Sequence, residues 1–330
     1  MNFQQLRSVR EAVRRDFNLT DVADALFTSQ PGVSRQIREL EDELGVDIFE
    51  RSGKRLTGLT EPGRHILEIV ERLLLDAENL RRAGGEFASR AEGRLIVATT
   101  HTQARYALPH VVSAFVRAFP RVRLRLQQGP PEHIAALLID GEADVGIATE
   151  ALHHYPELVT FPGYRWNHVV LAPRGHPVLA SARPTLEDLA RHPLITYDPG
   201  FTGRSHIDAA FASAGLAPEY LLTALDADVI KTYVERGLGV GIVASMAFDP
   251  ARDHTLQACA ADHLFTPSVT RLALRKGTYL RGYVYQFIEL FAPHIDRATI
   301  DRGLAGEPVP EDGLALPSAP ASLGEPALTS

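Results

Sequence analysis

Two stretches of hydroxyls and amides could hold a small anion without a lysine. Thr99-Thr100-His101-Thr102-Gln103 ends the strand-like run LIVATT, and Pro199-Gly200-Phe201-Thr202-Gly203-Arg204-Ser205 follows LITY; each leads into a helix-period segment. Free N–H groups and the dipole at a helix start favour negative charge. The carboxyl ends of parallel strands are also the usual ligand edge of open α/β sheets. Ordinary threonine capping accounts for either stretch alone. Two of them, one per lobe, would frame a cleft for a small anion or zwitterion.

A second group of polar residues suits a different partner. With Val33, Ile37, Leu40 and Leu44 as the buried stripe of a helix, Gln30, Ser34, Arg35 and Arg38 are left on other faces. Ser29 is the candidate N-cap, and Pro31 is tolerated in the first turn. A preceding helix with Leu19, Val22, Ala23 and Leu26 on one face, broken at Phe27-Thr28-Ser29, completes a helix-turn-helix whose second helix is aimed at the major groove. A generic helical hairpin with a solvated face fits that pattern equally well. Arg51-Ser52-Gly53-Lys54-Arg55 then puts three cations in five residues around a glycine, the tip of a two-stranded wing suited to phosphate or minor-groove contact, where a solvated loop would have no fixed placement after the helix pair.

Other signals carry less. Gly237-x-Gly239-x-Gly241 follows a helix and precedes a strand, the reverse of a dinucleotide loop, and reads as a helix stop with close packing. His153 and His154 are neighbours whose side chains should diverge, so no metal site is expected. Ser205-His206 lacks a nucleophile elbow. Asp144 is expected to order a strand end, and Asp226 and Asp228 to cap a helix. No acid–base pair or cofactor motif is present, so the chain is not expected to be an enzyme.

The elements that must position these groups fall into two textures. Residues 1–90 are dense in helix periodicity. A helix is expected from Glu61 to about Arg82, capped by Thr60, with Ile66, Ile69 or Val70, Leu73, Ala77 and Leu80 near a heptad spacing that suits pairing with a second chain, packing on the chain's own wing domain being the alternative. From Leu95, short strands alternate with helices: strands at 95–100, 122–128, 143–149, 169–172, 194–197, 221–224 and 240–244, helices at 108–119, 132–140, 205–214 and 228–236. That alternation predicts parallel α/β sheets in two small lobes joined by short crossings. Residues 301–330 hold five prolines, four glycines and five acidic residues with no apolar period, so a disordered tail is expected after Asp296.

Composition bounds the function. The 330 residues are 45% hydrophobic and carry a net charge of −7, so any nucleic-acid contact must be local. The single cysteine, Cys259, excludes an intrachain disulfide framework and fits a reducing compartment. The amino terminus lacks the apolar stretch of a signal peptide, and no apolar run is long enough for a bilayer. A cytoplasmic protein with no membrane partner is expected.

The stretches QQLRSVREAV and SQPGVSRQIRELEDELGVDIFERSGKRLTGLTEPG resemble the DNA-binding domain and linker helix of LysR-type transcriptional regulators. TTHTQARYALP, ADVGIATEAL, YDPGFTGRS and DADVIKTYVERGLGVGIVASMA are similar to its cysteine-regulon, or CysB-type, branch. The resemblance runs from residue 1 to about 295. Two departures stand out: Glu61-Pro62-Gly63, where many members have Ala before the glycine, and Pro199 in the second loop. The resemblance implies an α+β multidomain chain: a winged helix-turn-helix (1–60), a linker and dimerisation helix with hinge (61–92), a two-lobed α/β effector domain like the periplasmic binding proteins (93–295), and an acidic tail (296–330).

It further implies double-stranded promoter DNA, RNA polymerase and copies of the chain itself (homodimer to homotetramer) as partners, and activation of sulfur-assimilation and cysteine-biosynthesis genes. No cofactor is implied; the small-molecule effectors are acetylserine, with sulfate or thiosulfate as competing anions. Thr100, Thr102, Gln103 and Thr202 fall on the anion-contacting positions of the branch, and Thr149 on one linked to inducer response. The sister branch, which governs sulfonate use and senses adenosine phosphosulfate, is the alternative. The lobes alone would also allow a small-anion transport receptor, but the DNA-binding module and the absence of a leader argue against that.

Overall fold

The computed structural model describes residues 1–89, 92–309 and 316–318. It separates into two compact units, Met1–Ala88 and Ser89–Ser330. In the first, helices α1 (Phe3–Arg14), α2 (Leu19–Ala25) and α3 (Gln30–Leu44) precede a hairpin of β1 (Phe49–Ser52) and β2 (Arg55–Leu59), and α4 (Glu61–Ala88) follows. Between α2 and α3 the chain turns at Phe27, held at φ 51°. Ser29 caps α3 by accepting the Gly32 N–H at 3.3 Å, and Gly45 ends it in the left-handed conformation. Val33, Ile37 and Leu40 join Leu6, Val9, Val22, Ile48 and Phe49 in one core. Leu44, expected in that stripe, is 42% exposed, because Glu41 takes the buried position on its turn.

The hairpin is antiparallel, with Ser52 opposite Arg55 and Gly53-Lys54 at its tip. Helix α4 begins where the sequence predicts and runs about a turn and a half further. Gly63 is needed there: a Cβ at that position would lie 2.0 Å from the Ile48 carbonyl oxygen. Thr60 fixes the same junction, accepting the Gly63 N–H at 2.9 Å and donating to the Asp47 carbonyl at 2.6 Å. Proline before this glycine therefore does no harm, since the first helical turn needs no N–H from it.

The second unit contains two five-stranded sheets. The chain runs through β3 (Glu92–Thr99), α5 (Pro109–Ala118), β4 (Arg121–Gln128), α6 (Pro131–Ile139), β5 (Val145–Ala148) and β6 (Leu158–Trp166). It then crosses at Asn167 into the second lobe: β7 (His168–Pro173), α7 (Leu186–Ala190), β8 (Leu194–Tyr197), α8 (Arg204–Ser213), β9 (Tyr220–Ala224), α9 (Ala227–Glu235), β10 (Val240–Ala244) and β11 (Leu256–Ala260). A second crossing returns it to the first lobe with β12 (Ser268–Arg275), α10 (Gly282–Phe291) and α11 (Arg297–Leu304). The sheet orders are β4-β3-β5-β12-β6 and β11-β7-β10-β8-β9.

These sheets are mixed, not purely parallel as expected. Only β4-β3-β5 and β10-β8-β9 pair in parallel; β12 is antiparallel to both β5 and β6, and β7 to both β10 and β11. The crossing strands enter each sheet from the other lobe, which reverses their direction. In both lobes the first parallel strand lies between the next two, so the topological switch falls beside the carboxyl end of β3 and of β8.

The tail also departs from expectation. Asp296 caps α11 through the Thr299 N–H at 2.7 Å, and Ile300 and Leu304 are buried in the core of the first lobe. An apolar pair at i and i+4 behind a capping aspartate is a helix signal that bulk composition hides. Further on, Pro317 accepts the Arg165 N–H at 2.9 Å along the edge strand β6. The remainder of the expected disordered tail, 310–315 and 319–330, lies outside the described residues.

Candidate functional site

In the first unit, Gln30, Pro31, Arg35 and Arg38 are exposed on α3, Ser34 is half-buried beside them, and Lys54 and Arg55 are exposed at the wing. Lys54 lines one concavity with Gln30, Ser34, Arg35 and Arg38. Helix and wing therefore converge on a single polar, cationic face. Arg35 Nε is 2.7 Å from Glu39 one turn on, an exposed pair that holds the guanidinium along the helix. Arg51 differs from the role expected of it. It lies in β1, half-buried, 2.5 Å from the buried Glu41 carboxylate and 3.7 Å from Asp47. Glu41 also accepts the N–H groups of Ile48 at 2.8 Å and Phe49 at 3.1 Å, so Arg51 ties the wing to α3.

On α4, Val70 and Leu74 are buried and Ile66 packs partly on the core of its own unit. Ile69, Leu73 and Leu80 are exposed and Ala77 half-buried, while Phe87, absent from the expected seam, extends the exposed line at 81% exposure. From Leu73 through Leu80 to Phe87 the spacing is seven residues, the repeat that keeps apolar side chains on one side of a pairing helix.

In the second unit the two expected loops meet. The chain turns helical at His101, passes through a π-helical turn at Gln103–Ala107 and enters α5. Such turns are rare and concentrate at functional sites. Thr102 Oγ1 lies 3.4 Å from Thr202 Oγ1 across the lobes. Gln103 Nε2 donates to Thr270 Oγ1 at 3.1 Å, and Thr149 Oγ1 is 3.4 Å from the same hydroxyl. Thr100 is buried, with its carbonyl accepting the Ala104 N–H at 3.0 Å. All but the half-buried Thr149 are nearly without exposed surface, so in this arrangement of the lobes their hydroxyls and amide are closed off from solvent.

Sequence reasoning missed the groups that join these residues. Thr270 also accepts the Trp166 Nε1–H at 3.1 Å, and Tyr164 donates to Gln103 Oε1. Burial pushes the Tyr164 and Tyr197 hydroxyls well above the ordinary phenol range, so both stay protonated, and Tyr197 Oη accepts the Ala244 N–H at 3.1 Å. Alternation in β6 and β12 was the available signal, but their pairing, Thr270 opposite Tyr164 and Ser268 opposite Trp166, arises only in the folded sheet. His168 is buried, holds Nε2 3.4 Å from the Thr202 carbonyl oxygen, and is lowered to about 4 by desolvation, hence neutral. Glu150, beyond β5, accepts the Gly203 N–H and is pushed up to about 7 by burial. Arg204 is turned away, its Nη1 donating to the Tyr197 carbonyl at 2.6 Å and its Nε to Asp208 at 2.9 Å.

A second cavity of about 600 Å³ between the lobes is lined by Arg105, Tyr106, His110, Asp228, Lys231 and Asp253. Here Tyr106 donates to Asp228 at 2.7 Å and Arg105 pairs with the same carboxylate. Asp228 thus latches the lobes and does not cap α9, a role that Asp226 fills alone through the Val229 N–H at 2.9 Å. Asp144 orders its strand end as expected, accepting the Ile96 N–H at 2.9 Å. His153 and His154 do not diverge: their rings meet edge to face at 4.0 Å in a tight turn. Among the described residues no cluster could hold a metal ion, and no helix is long and apolar enough to cross a membrane.

Comparisons with known proteins agree with this architecture. Residues 3–64 match the model of the bacterial regulatory helix-turn-helix protein, lysR family, and residues 88–296 that of the LysR substrate binding domain. The chain is 60% identical to the HTH-type transcriptional regulator SsuR of Burkholderia cenocepacia over 309 residues, covering 94% of this chain and 100% of that protein. It is 54% identical to the regulator CysB of the same organism, covering 93% and 98%. Among solved structures, the cofactor-binding domain of the Cbl transcriptional regulator superposes with a TM-score of 0.63 at 48% identity, covering 64% of this chain and 93% of that one. With a helix-turn-helix and a two-lobed substrate-binding domain both matched in order, the chain belongs to the LysR family of transcriptional regulators, and it is not an enzyme.

Proposed function

We propose that this regulator controls, mainly as an activator, genes of sulfur assimilation and cysteine biosynthesis in response to acetylserine, with sulfate or thiosulfate competing for the same donors. The observation that carries the reading is the contact of Thr102 with Thr202 across the lobes. Hydroxyls, the Gln103 amide and backbone N–H groups could stabilise a carboxylate or a sulfate without a cation, since dipoles and charge-assisted hydrogen bonds together offset desolvation. Similarity over nearly the whole chain to CysB and SsuR supports the sulfur role. Ligand would act by favouring one lobe arrangement, and only differential affinity between arrangements can shift that equilibrium.

In the same reading, Gln30, Pro31, Ser34, Arg35 and Arg38 meet promoter DNA with Lys54 and Arg55 on phosphates, while Arg51 braces the wing. Ile69, Leu73, Ala77 and Leu80 pair two chains, the effector lobes join dimers into a tetramer, and the assembly contacts RNA polymerase in the cytoplasm. Calorimetry with acetylserine, sulfate, thiosulfate and adenosine phosphosulfate tests the effector assignment. Thr102→Ala and Thr202→Ala should each weaken acetylserine and sulfate by about tenfold or more, the loss of one charge-assisted hydrogen bond. Undiminished binding to both variants would refute the cleft; selective binding of adenosine phosphosulfate would instead favour the sulfonate branch.

A further inference from the structure

The N-terminus of α8 is already occupied by a carboxyl group. Its N-cap, Gly203, has no side chain to cap with, and its N–H donates to the Glu150 carboxylate, which comes from the opposite lobe. Both loops at this contact adopt backbone conformations that side-chain-bearing residues avoid, Ala151 at φ 65° and Thr202 at φ 44°. Strain of that kind persists where the surroundings over-determine it, often at ligand clamps. The backbone N–H groups of Thr202 and of Glu150 itself also lie toward this carboxylate, yet its second oxygen is buried without a hydrogen bond of its own. So is Nδ1 of His168, a side chain 1% exposed whose ring would lie 2.8 Å from a Cβ on Gly203.

The charged and titratable groups that face this carboxylate do not neutralise it. Glu132 of α6 repels it, and His168 of β7 is neutral. On α8, Arg204 is held by Tyr197 and Asp208, and His206 places Nδ1 2.8 Å from the Thr266 carbonyl oxygen. Among the described residues no cation pairs with Glu150.

From this arrangement we propose that Glu150 determines the specificity of the cleft: its carboxylate holds the anion seat on α8 in the ligand-free protein, and a proton-free dianion binds there only together with a proton on Glu150. The proposal rests on the cleft being the effector site. A ligand that brings an ammonium or another donor to this edge meets a ready acceptor, whereas sulfate must be accompanied by proton uptake. Burial, which raises the carboxyl to about 7, makes that proton available near neutrality.

Calorimetric titration of the full chain with sodium sulfate at about pH 6 and pH 8, each in two buffers of different ionisation enthalpy, tests this. Wild-type protein should bind sulfate about tenfold more weakly at the higher pH and take up about one proton per sulfate there. Glu150→Gln keeps an acceptor for the Gly203 N–H and should bind sulfate equally at both pH values with no proton uptake. The wild-type arm stands on its own, and Thr102→Ala separates the two ideas. If Thr102→Ala weakens sulfate binding while the wild-type affinity is independent of pH and matched by Glu150→Gln, the role of Glu150 fails and the cleft survives. Sulfate binding that neither substitution alters, or that wild type lacks altogether, overturns both.

Discussion

At the scale of single residues, the structure divides side chains that look alike in sequence. Arg51, Lys54 and Arg55 read as one basic cluster, yet Arg51 is held by buried Glu41 while the other two are exposed. Glu41→Ala strands the N–H groups of Ile48 and Phe49 along with the Arg51 guanidinium. It should lower stability by about 2–4 kcal/mol in denaturant unfolding, by the usual cost of breaking a buried, hydrogen-bonded ion pair. A loss below about 0.5 kcal/mol, typical of a surface pair, would remove the brace. Glu150 makes a prediction of opposite sign to most carboxylates. Its folded-state pKa is raised from 4.5 to about 7, so its favourable contribution is complete below the unfolded value and is lost as pH rises through 7. Glu150→Gln should therefore melt higher than wild type at pH 8, with the difference vanishing below about pH 5. Equal melting temperatures across that window would mean the carboxylate is not desolvated.

At the scale of elements, α3 and the wing act as one surface and α4 as another. Arg35→Ala should weaken binding to a specific operator by about 1–3 kcal/mol and spare random DNA. Lys54→Ala should weaken both and reduce the salt slope by about 1. Equal losses on the two DNAs for Arg35→Ala would take base reading away from α3. Along α4, Leu73→Asp puts a charge into the exposed apolar line and should break the pairing along this helix, reducing a tetramer to pairs held through the effector lobes in sedimentation; a variant that sediments like wild type would move the pairing surface elsewhere. Helix periodicity exposed both surfaces in the sequence, because an amphipathic helix shows its buried face wherever it packs. It did not show that Ile66 belongs to the core of its own unit and Phe87 to the exposed line, since a heptad pattern does not say which neighbour fills it.

For the whole molecule, the two crossings decide the outcome. The cleft exists because Asn167 and the segment before β12 carry the chain between lobes, so Thr102 and Thr202, a hundred residues apart, come within 3.4 Å. The returning segment also brings α11 into the first lobe, where Ile300 and Leu304 are buried. Ile300→Ala should cost about 2–4 kcal/mol and destabilise the effector domain, as large-to-small core changes do. If unfolding midpoints are unchanged, α11 is dispensable and the tail begins at 296 after all.

What the sequence determined by itself is what local physics controls. Capping, helix period, the glycine at the wing tip and the strand–helix alternation marked the helix-turn-helix, the wing, the long helix and both threonine-bearing loops, because each depends on residues within a turn or a strand of one another. Tertiary structure decided everything that depends on register between distant strands. Thr270 joins Gln103, Thr149 and Trp166 only because β12 pairs antiparallel with β5 and β6, and no spacing along the chain encodes that. The same holds for Glu150: in sequence it is one acidic residue after a strand, and its carboxyl group meets the start of α8 only because the other lobe lies against it.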